Sequence, residues 1–102
     1  MACGCLIVGS KTAPVLEVLQ SGVNGLTVDF FASKTLADLI ESVLDQPEWT
    51  HAIRDAARAT AVKHFDLKRV LLPRWNALFD DLINGRRPTC LENVPRPELI
   101  LA

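Results

Sequence analysis

Two stretches, Cys5-Leu6-Ile7-Val8-Gly9-Ser10 and Ser21-Gly22-Val23-Asn24-Gly25-Leu26-Thr27-Val28, decide the fold class. Residues 5–8 are a continuous apolar run closed by Gly-Ser. That is the pattern of a strand buried on both faces, as in parallel sheets. Lys11-Thr12-Ala13 reads as a loop, and Pro14 suits the first turn of a short helix over residues 14–19, with Glu17 early in it. Residues 21–25 carry turn chemistry, since Gly and Asn tolerate positive φ. Residues 26–28 form a second short strand. Strand, helix and strand make a compressed β-α-β unit and predict an α/β chain.

The remainder reads as helical. Ser33 is a plausible N-cap for a helix to about Asp45. Its residues Leu36, Leu39, Ile40, Val43 and Leu44 supply the spacing that one buried face requires. Pro47 starts a second helix, with Trp49, Ile53, Ala56, Ala57 and Thr60 inward and Arg54, Asp55 and Arg58 outward. His64-Phe65-Asp66 ends it, and Asp66 caps a third helix running to about Ile83. Val70, Leu71, Trp75, Leu78, Phe79 and Leu82 lie on one side of that helix. Pro73 lies inside it and is predicted to kink or split it. Asn84-Gly85 closes it. Residues 1–85 thus form the structured part, and the proline-rich residues 86–102 are predicted to be an extended tail.

Two short parallel strands do not make a sheet alone. A parallel strand needs neighbours along its edges and helices over its faces. The expectation is therefore an incomplete Rossmann-like half-domain of two parallel strands and three helices. The missing strands would come from sequence outside these residues.

Composition narrows the function classes. The 102 residues carry 11 Lys+Arg against 12 Asp+Glu, a net charge of −1, with 49% hydrophobic and 23% charged residues. That excludes a disordered or fibrous chain. Balanced charge gives no support for a nucleic-acid or anionic-membrane partner. Tyr is absent and Trp numbers only two, so base-stacking platforms are not expected either. No run approaches the roughly 20 apolar residues of a membrane span. The three cysteines are an odd count, and Cys3-x-Cys5, read as strand-edge positions, suits neither a disulfide framework nor a tetrahedral zinc site. The context reads as cytoplasmic and reducing.

Few motifs carry chemistry. Gly4-x4-Gly9-Ser10-Lys11-Thr12 resembles a phosphate-binding loop with one residue too many, and the strand lies between its glycines rather than before them. It reads as a strand flanked by turn glycines. Cys3, Cys5, His51 and His64 are metal-ligand types without metal-ligand spacing. They read as small core cysteines and solvent-facing histidines. Asp80 and Asp81 are adjacent and diverge on a helix, so they read as a solvated face, and Arg86-Arg87 as a solvated helix exit. Trp49 and Trp75 sit on apolar stripes and read as core. No catalytic constellation stands out. Ser10, Lys11 and Thr12 are the one candidate ligand-contact segment. They leave the carboxyl end of a strand, where open α/β sheets bind ligands.

The run Met1-Ala2-Cys3-Gly4-Cys5, with Val8-x-Ser10-x-Thr12, Glu17-Val18 and Gly22-Val23-Asn24-Gly25-Leu26-x-Val28, resembles the C-terminal part of group 1 (family 4) retaining glycosyltransferases. In that family a segment ending E-A-M-A-C-G precedes a buried strand, a turn, a short helix and D-G-x-N-G-x-L-V. Leu36-Ala37, Ala56-Ala57-Arg58 and Phe65 fall where the family's following helices carry similar residues. The resemblance covers roughly residues 1–83.

The resemblance implies a GT-B fold, two Rossmann-like domains flanking a cleft, whose C-terminal domain holds a nucleotide-diphosphate sugar donor. It implies hexosyl transfer to a hydroxyl acceptor, without a bound metal or other cofactor. The family's paired glutamates, E-x7-E, would lie ahead of Met1, as would the basic residues for the donor pyrophosphate and the acceptor domain. The chain is thus expected to carry no catalytic residue and to be inactive alone, with Ser10, Lys11 and Thr12 as a donor-proximal loop. Where the family often has a glycine pair after S-x-T, this chain has Ala13-Pro14, which stiffens the loop and removes a backbone donor. The alternative is a small non-catalytic helical interaction module using residues 66–83. Uncovered strand edges lead us to expect self-association.

Overall fold

The computed structural model describes residues 1–88. They divide into two compact units, Met1–Phe65 and a second beginning at Asp66. The first unit contains β1 (Val8–Ser10), α1 (Ala13–Leu16), β2 (Leu26–Val28), α2 (Ser33–Asp45), a 3-10 turn (Pro47–Thr50) and α3 (His51–Phe65).

β1 and β2 pair in parallel, with Val8 opposite Leu26, Gly9 opposite Thr27 and Ser10 opposite Val28. This is the α/β arrangement the sequence predicts. The first strand is displaced from residues 5–8 to Val8–Ser10, however, because pairing sets its extent; Gly9 and Ser10, read as the turn that closes it, are two of its three residues. The Leu26 N–H donates to the Ile7 carbonyl at 2.8 Å, and the Lys11 N–H to the Val28 carbonyl at 2.8 Å. Cys5 and Leu6 find no backbone partner opposite them and stay outside the ladder. Alternation along a strand then turns the N–H groups of Val8 and Ser10 away from β2. Among the described residues no strand lies on that side, since the sheet has only two.

The connection between the strands is folded tightly. α1 has only four residues, shorter than the helix predicted over 14–19. The chain continues as bonded turns, with the Leu19 N–H donating to the Val15 carbonyl at 2.8 Å. Leu19 is buried, 6% exposed. A Cβ on Gly25 would stand 2.7 Å from Leu19 Cδ2 and 3.3 Å from the Ile7 carbonyl, so a side chain there would force the buried Leu19 to shift.

Asn24 works through its side chain, since among the described residues no non-glycine has positive φ. Its Oδ1 accepts from the Gln20 N–H at 2.7 Å. Its Nδ2 donates to the Val18 carbonyl at 3.0 Å and to Thr60 Oγ1 at 3.2 Å. The turn between the strands is thereby tied to α3.

One face of α3 lies inward as predicted: Ile53 and Ala57 are buried, and Ala56 and Thr60 are half-buried; Thr50, outside the predicted stripe, is buried as well. Buried Leu19, Leu26 and Val28 complete the small core. Three expectations fail here. Ser33 is the first residue of α2 and not its cap; Ala32 occupies the cap and makes no side-chain bond. Asp29 shapes this entry instead, its Oδ1 accepting from the Phe31 N–H at 3.1 Å. Arg54 and Arg58 do not simply face solvent: Arg54 Nε donates to the Gly4 carbonyl at 2.7 Å, and Arg58 Nη1 to the Ala2 carbonyl. The apolar stripe of α2 is not buried either. Leu36, Ile40 and Leu44 are exposed, Leu44 at 74%, and Trp49 is 44% exposed. Leu39 and Val43 of the same stripe are half-buried, and among the described residues the stripe has the spacing of a packed face without a layer that buries it.

In the second unit, Asp66 caps as predicted, its Oδ1 accepting from the Arg69 N–H at 2.7 Å. A π-helical segment (Leu67–Leu71) precedes α4 (Leu72–Ile83). The Leu71 N–H reaches back to the Asp66 carbonyl at 2.9 Å, one residue farther than in an α-helix. Pro73, in the first turn of α4, has no N–H to extend a regular helix backward, which accounts for the predicted split. Gly85 at φ +65° ends α4. The Gly85 N–H donates to the Leu82 carbonyl at 3.1 Å and the Arg86 N–H to the Asp81 carbonyl at 2.8 Å, a Schellman cap. Arg86 Nε also pairs with Asp81 Oδ1 at 3.0 Å, so neither is merely solvated. Trp75 and Phe79 stack with ring centroids 5.9 Å apart. Each is 54% exposed, so Trp75 is not core. From residue 89 on, the predicted tail lies outside the described residues.

Candidate functional site

The parallel pair ends where α2 begins, and a cleft of about 250 Å³ opens there. Ser10 at the end of β1, Asp29 and Phe30 beyond β2, and Ser33 at the start of α2 contribute to its walls, with Val8 and Val28 beneath. This is the carboxyl edge of a parallel sheet, where side chains and loops leave room that the pleated strands do not.

The predicted loop divides at this edge. Ser10 lines the cleft, whereas Lys11 and Thr12 are not among its walls. Ser10 Oγ and Thr12 Oγ1 share a hydrogen bond of 3.1 Å, and the Thr12 N–H donates to the Ser10 carbonyl at 2.8 Å. The three residues therefore form one tight corner, with the exposed Lys11 at its tip.

The cleft offers groups of complementary kinds. Hydroxyls come from Ser10 and Ser33. Because Ala32 caps α2 without a side-chain acceptor, the N–H groups of the first helical turn keep their capacity to donate. Asp29 is the one carboxylate among the lining residues. An acceptor there suits a hydroxyl-bearing ligand and opposes an anion placed directly against it. Phe30, 67% exposed, contributes an open aromatic face and packs edge-on against Phe31 at 5.1 Å. The arrangement can hold a small polar ligand. It brings together no acid–base pair and no nucleophile with a base.

The other sequence candidates lie elsewhere. Cys3, in the turn before β1, and Cys5, directly after that turn, are exposed, which corrects their reading as core residues. His51 and His64 are exposed on α3, as expected. Among the described residues no three His, Cys, Asp or Glu gather as a metal site. No helix there is long and apolar enough to cross a membrane. Asp29 and Phe30 escaped the sequence reading because the cleft exists only once the end of β2 and the start of α2 converge. The one available signal was an acidic residue directly after an apolar strand.

A family model described as glycosyl transferases group 1 matches residues 1–60. Those residues contain both strands, the Ser10–Thr12 corner, the cleft and the clamping arginines of α3. Comparison with curated proteins and with solved structures gave no match.

Proposed function

The chain belongs to the group 1 glycosyltransferases, and from that premise we propose that it forms part of the donor-binding half of a retaining, family 4 enzyme of GT-B fold. That enzyme moves a hexosyl group from a nucleotide-diphosphate sugar to a hydroxyl acceptor in the cytoplasm. The observation that carries this reading is the cleft at the carboxyl edge of β1 and β2, inside the matched residues. Beside it, Ser10, Lys11 and Thr12 form a donor-proximal corner: hydroxyls and the exposed Lys11 cation toward the diphosphate, with the Asp29 carboxylate of the cleft available to sugar or ribose hydroxyls. Ala13-Pro14 stiffens the exit of that corner, so its side chains rather than its backbone face the donor.

Catalysis needs groups that stabilise the leaving phosphate and a developing oxocarbenium ion. The cleft brings no such set together. Our reading therefore assigns the catalytic glutamates and the acceptor site to polypeptide beyond these 102 residues, and the chain alone is inactive. The open edge of β1 supports the same view and would also permit self-association.

The test has two arms. Calorimetric titration of the purified chain with nucleotide-diphosphate sugars is expected to give no saturable heat, and the donor no hydrolysis. Stoichiometric binding or turnover would overturn the division of labour. Grafting residues 1–60 in place of the matching segment of an active group 1 enzyme is expected to keep sugar transfer within about tenfold, a barrier change of about 1.4 kcal/mol. A folded but inactive graft would overturn the donor-half reading itself.

A second reading, a helical interaction module without catalysis, has one observation in its favour. The apolar side of α4 is open, with a recess of about 220 Å³ lined by Leu71, Arg74, Trp75 and Leu78. A folded but inactive graft would favour this reading.

A further inference from the structure

We propose that Cys3 and Cys5 are a redox-active dithiol, closed into an intrachain disulfide by a low-molecular-weight disulfide such as oxidised glutathione. As strand-edge residues they would be poorly placed for this. The structure removes that objection, because β1 begins only at Val8, with Cys3 in the turn before it and Cys5 directly after that turn.

Three features of that turn favour closure. Both thiols are free and exposed, so an oxidant reaches either one without local opening. Gly4 between them has φ +73°, and a Cβ there would meet nothing within 4 Å. Glycine is thus placed for its backbone freedom and not for lack of room. The turn is also held from both ends. The Gly4 N–H donates to the Met1 carbonyl at 3.0 Å, while Arg54 and Arg58 bind the carbonyls of Gly4 and Ala2 on either side of Cys3. Cα atoms two residues apart are separated by at most about 7 Å, and a bend shortens that span into the disulfide range of about 4.4–6.8 Å.

The chemistry balances as two exchanges. One thiolate attacks a sulfur of oxidised glutathione, forming a mixed disulfide and releasing one glutathione thiolate. The neighbouring thiolate then attacks the protein sulfur of that mixed disulfide and releases the second. The protein thiols lose two electrons and two protons, and the oxidant becomes two glutathione molecules. The second step is intramolecular across a single residue, which gives it the advantage over free thiol in solution.

The test uses the full chain carrying Cys90→Ser, fully reduced and then exposed to oxidised glutathione, with peptide masses read after acid quenching. The expected product is the peptide containing Cys3 and Cys5 short of two hydrogens. Adding Cys5→Ser should leave the reaction stopped at the single glutathione adduct. A doubly glutathionylated peptide, or unmodified thiols, would overturn the proposal. The same reaction in urea supplies the control for the folded turn. The closed fraction in native buffer should equal or exceed that in urea. A lower fraction in native buffer would show that the turn holds the thiols apart and would equally overturn it.

Discussion

Replacing Asn24 by Ala removes a side chain that ties the inter-strand turn to α3. Asn24 is 5% exposed and makes three hydrogen bonds, at 2.7 Å to the Gln20 N–H, 3.0 Å to the Val18 carbonyl and 3.2 Å to Thr60 Oγ1. A typical intramolecular bond contributes about 0.5–1.5 kcal/mol net, and more where the abandoned partner stays buried. Gln20 is exposed and Val18 only half-buried, so water reaches part of what is left behind. That places the loss at about 2–3 kcal/mol for Asn24→Ala. With a urea slope of about 1–3 kcal/mol/M, the unfolding midpoint should fall by about 0.7–3 M. Thr60→Val keeps the shape of the side chain, removes only the longest of the three bonds and also loses the Thr60 bond to the Ala56 carbonyl at 2.8 Å. A hydroxyl bonded back along its own helix contributes little, so Thr60→Val should cost about 1 kcal/mol or less. Urea titrations followed by circular dichroism measure both. An Asn24→Ala midpoint indistinguishable from the parent, or Thr60→Val as damaging as Asn24→Ala, would refute the clamp.

Glycine substitutions should separate crowding from backbone strain. Gly25→Ala forces a Cβ to within 2.7 Å of Leu19 Cδ2 and should cost about 1–3 kcal/mol through overpacking. Gly22→Ala meets open space at φ +79° and should cost about 1 kcal/mol; the same urea titrations would reveal a reversed order. On α2, Leu44→Lys acts on a side chain already 74% exposed. It should change stability by no more than about 0.5 kcal/mol while reducing any self-association seen by sedimentation. A loss of several kcal/mol would mean that the stripe is covered after all.

The α/β class was readable because apolar runs and turn residues act locally. The Asn24-Gly25 turn before Leu26 fixes where the second strand can start, whereas Gly9-Ser10, read as the close of the first, lie within it. The capping role of Asp66 and the split at Pro73 were readable for the same reason: each depends on backbone groups a few residues away. The start of β1 was not, because it is set by the pairing of Ile7 with Leu26, distant in sequence. The fate of apolar stripes was also hidden. Spacing shows that Leu36, Ile40 and Leu44 share a face, and it cannot show whether a layer lies opposite. Of the candidate site, Ser10 was found from its place after a strand. Asp29 and Phe30 needed the meeting of β2 with α2. The clamp of Arg54 on Gly4 spans α3 and the opening turn, which periodicity alone reads as an outward charge.

The central claim is that β1 presents a free edge, paired by no strand among the described residues. Residue-resolved amide hydrogen exchange on the monomeric chain tests it most directly, because alternate amides of one strand point to opposite sides. The Leu26 and Lys11 amides, bonded across the pair at 2.8 Å each, should be protected. The Val8 and Ser10 amides should exchange within about tenfold of unstructured chain, as locally open groups do. If Val8 and Ser10 are protected as strongly as Leu26, the edge is already paired and the claim of a half-sheet is wrong.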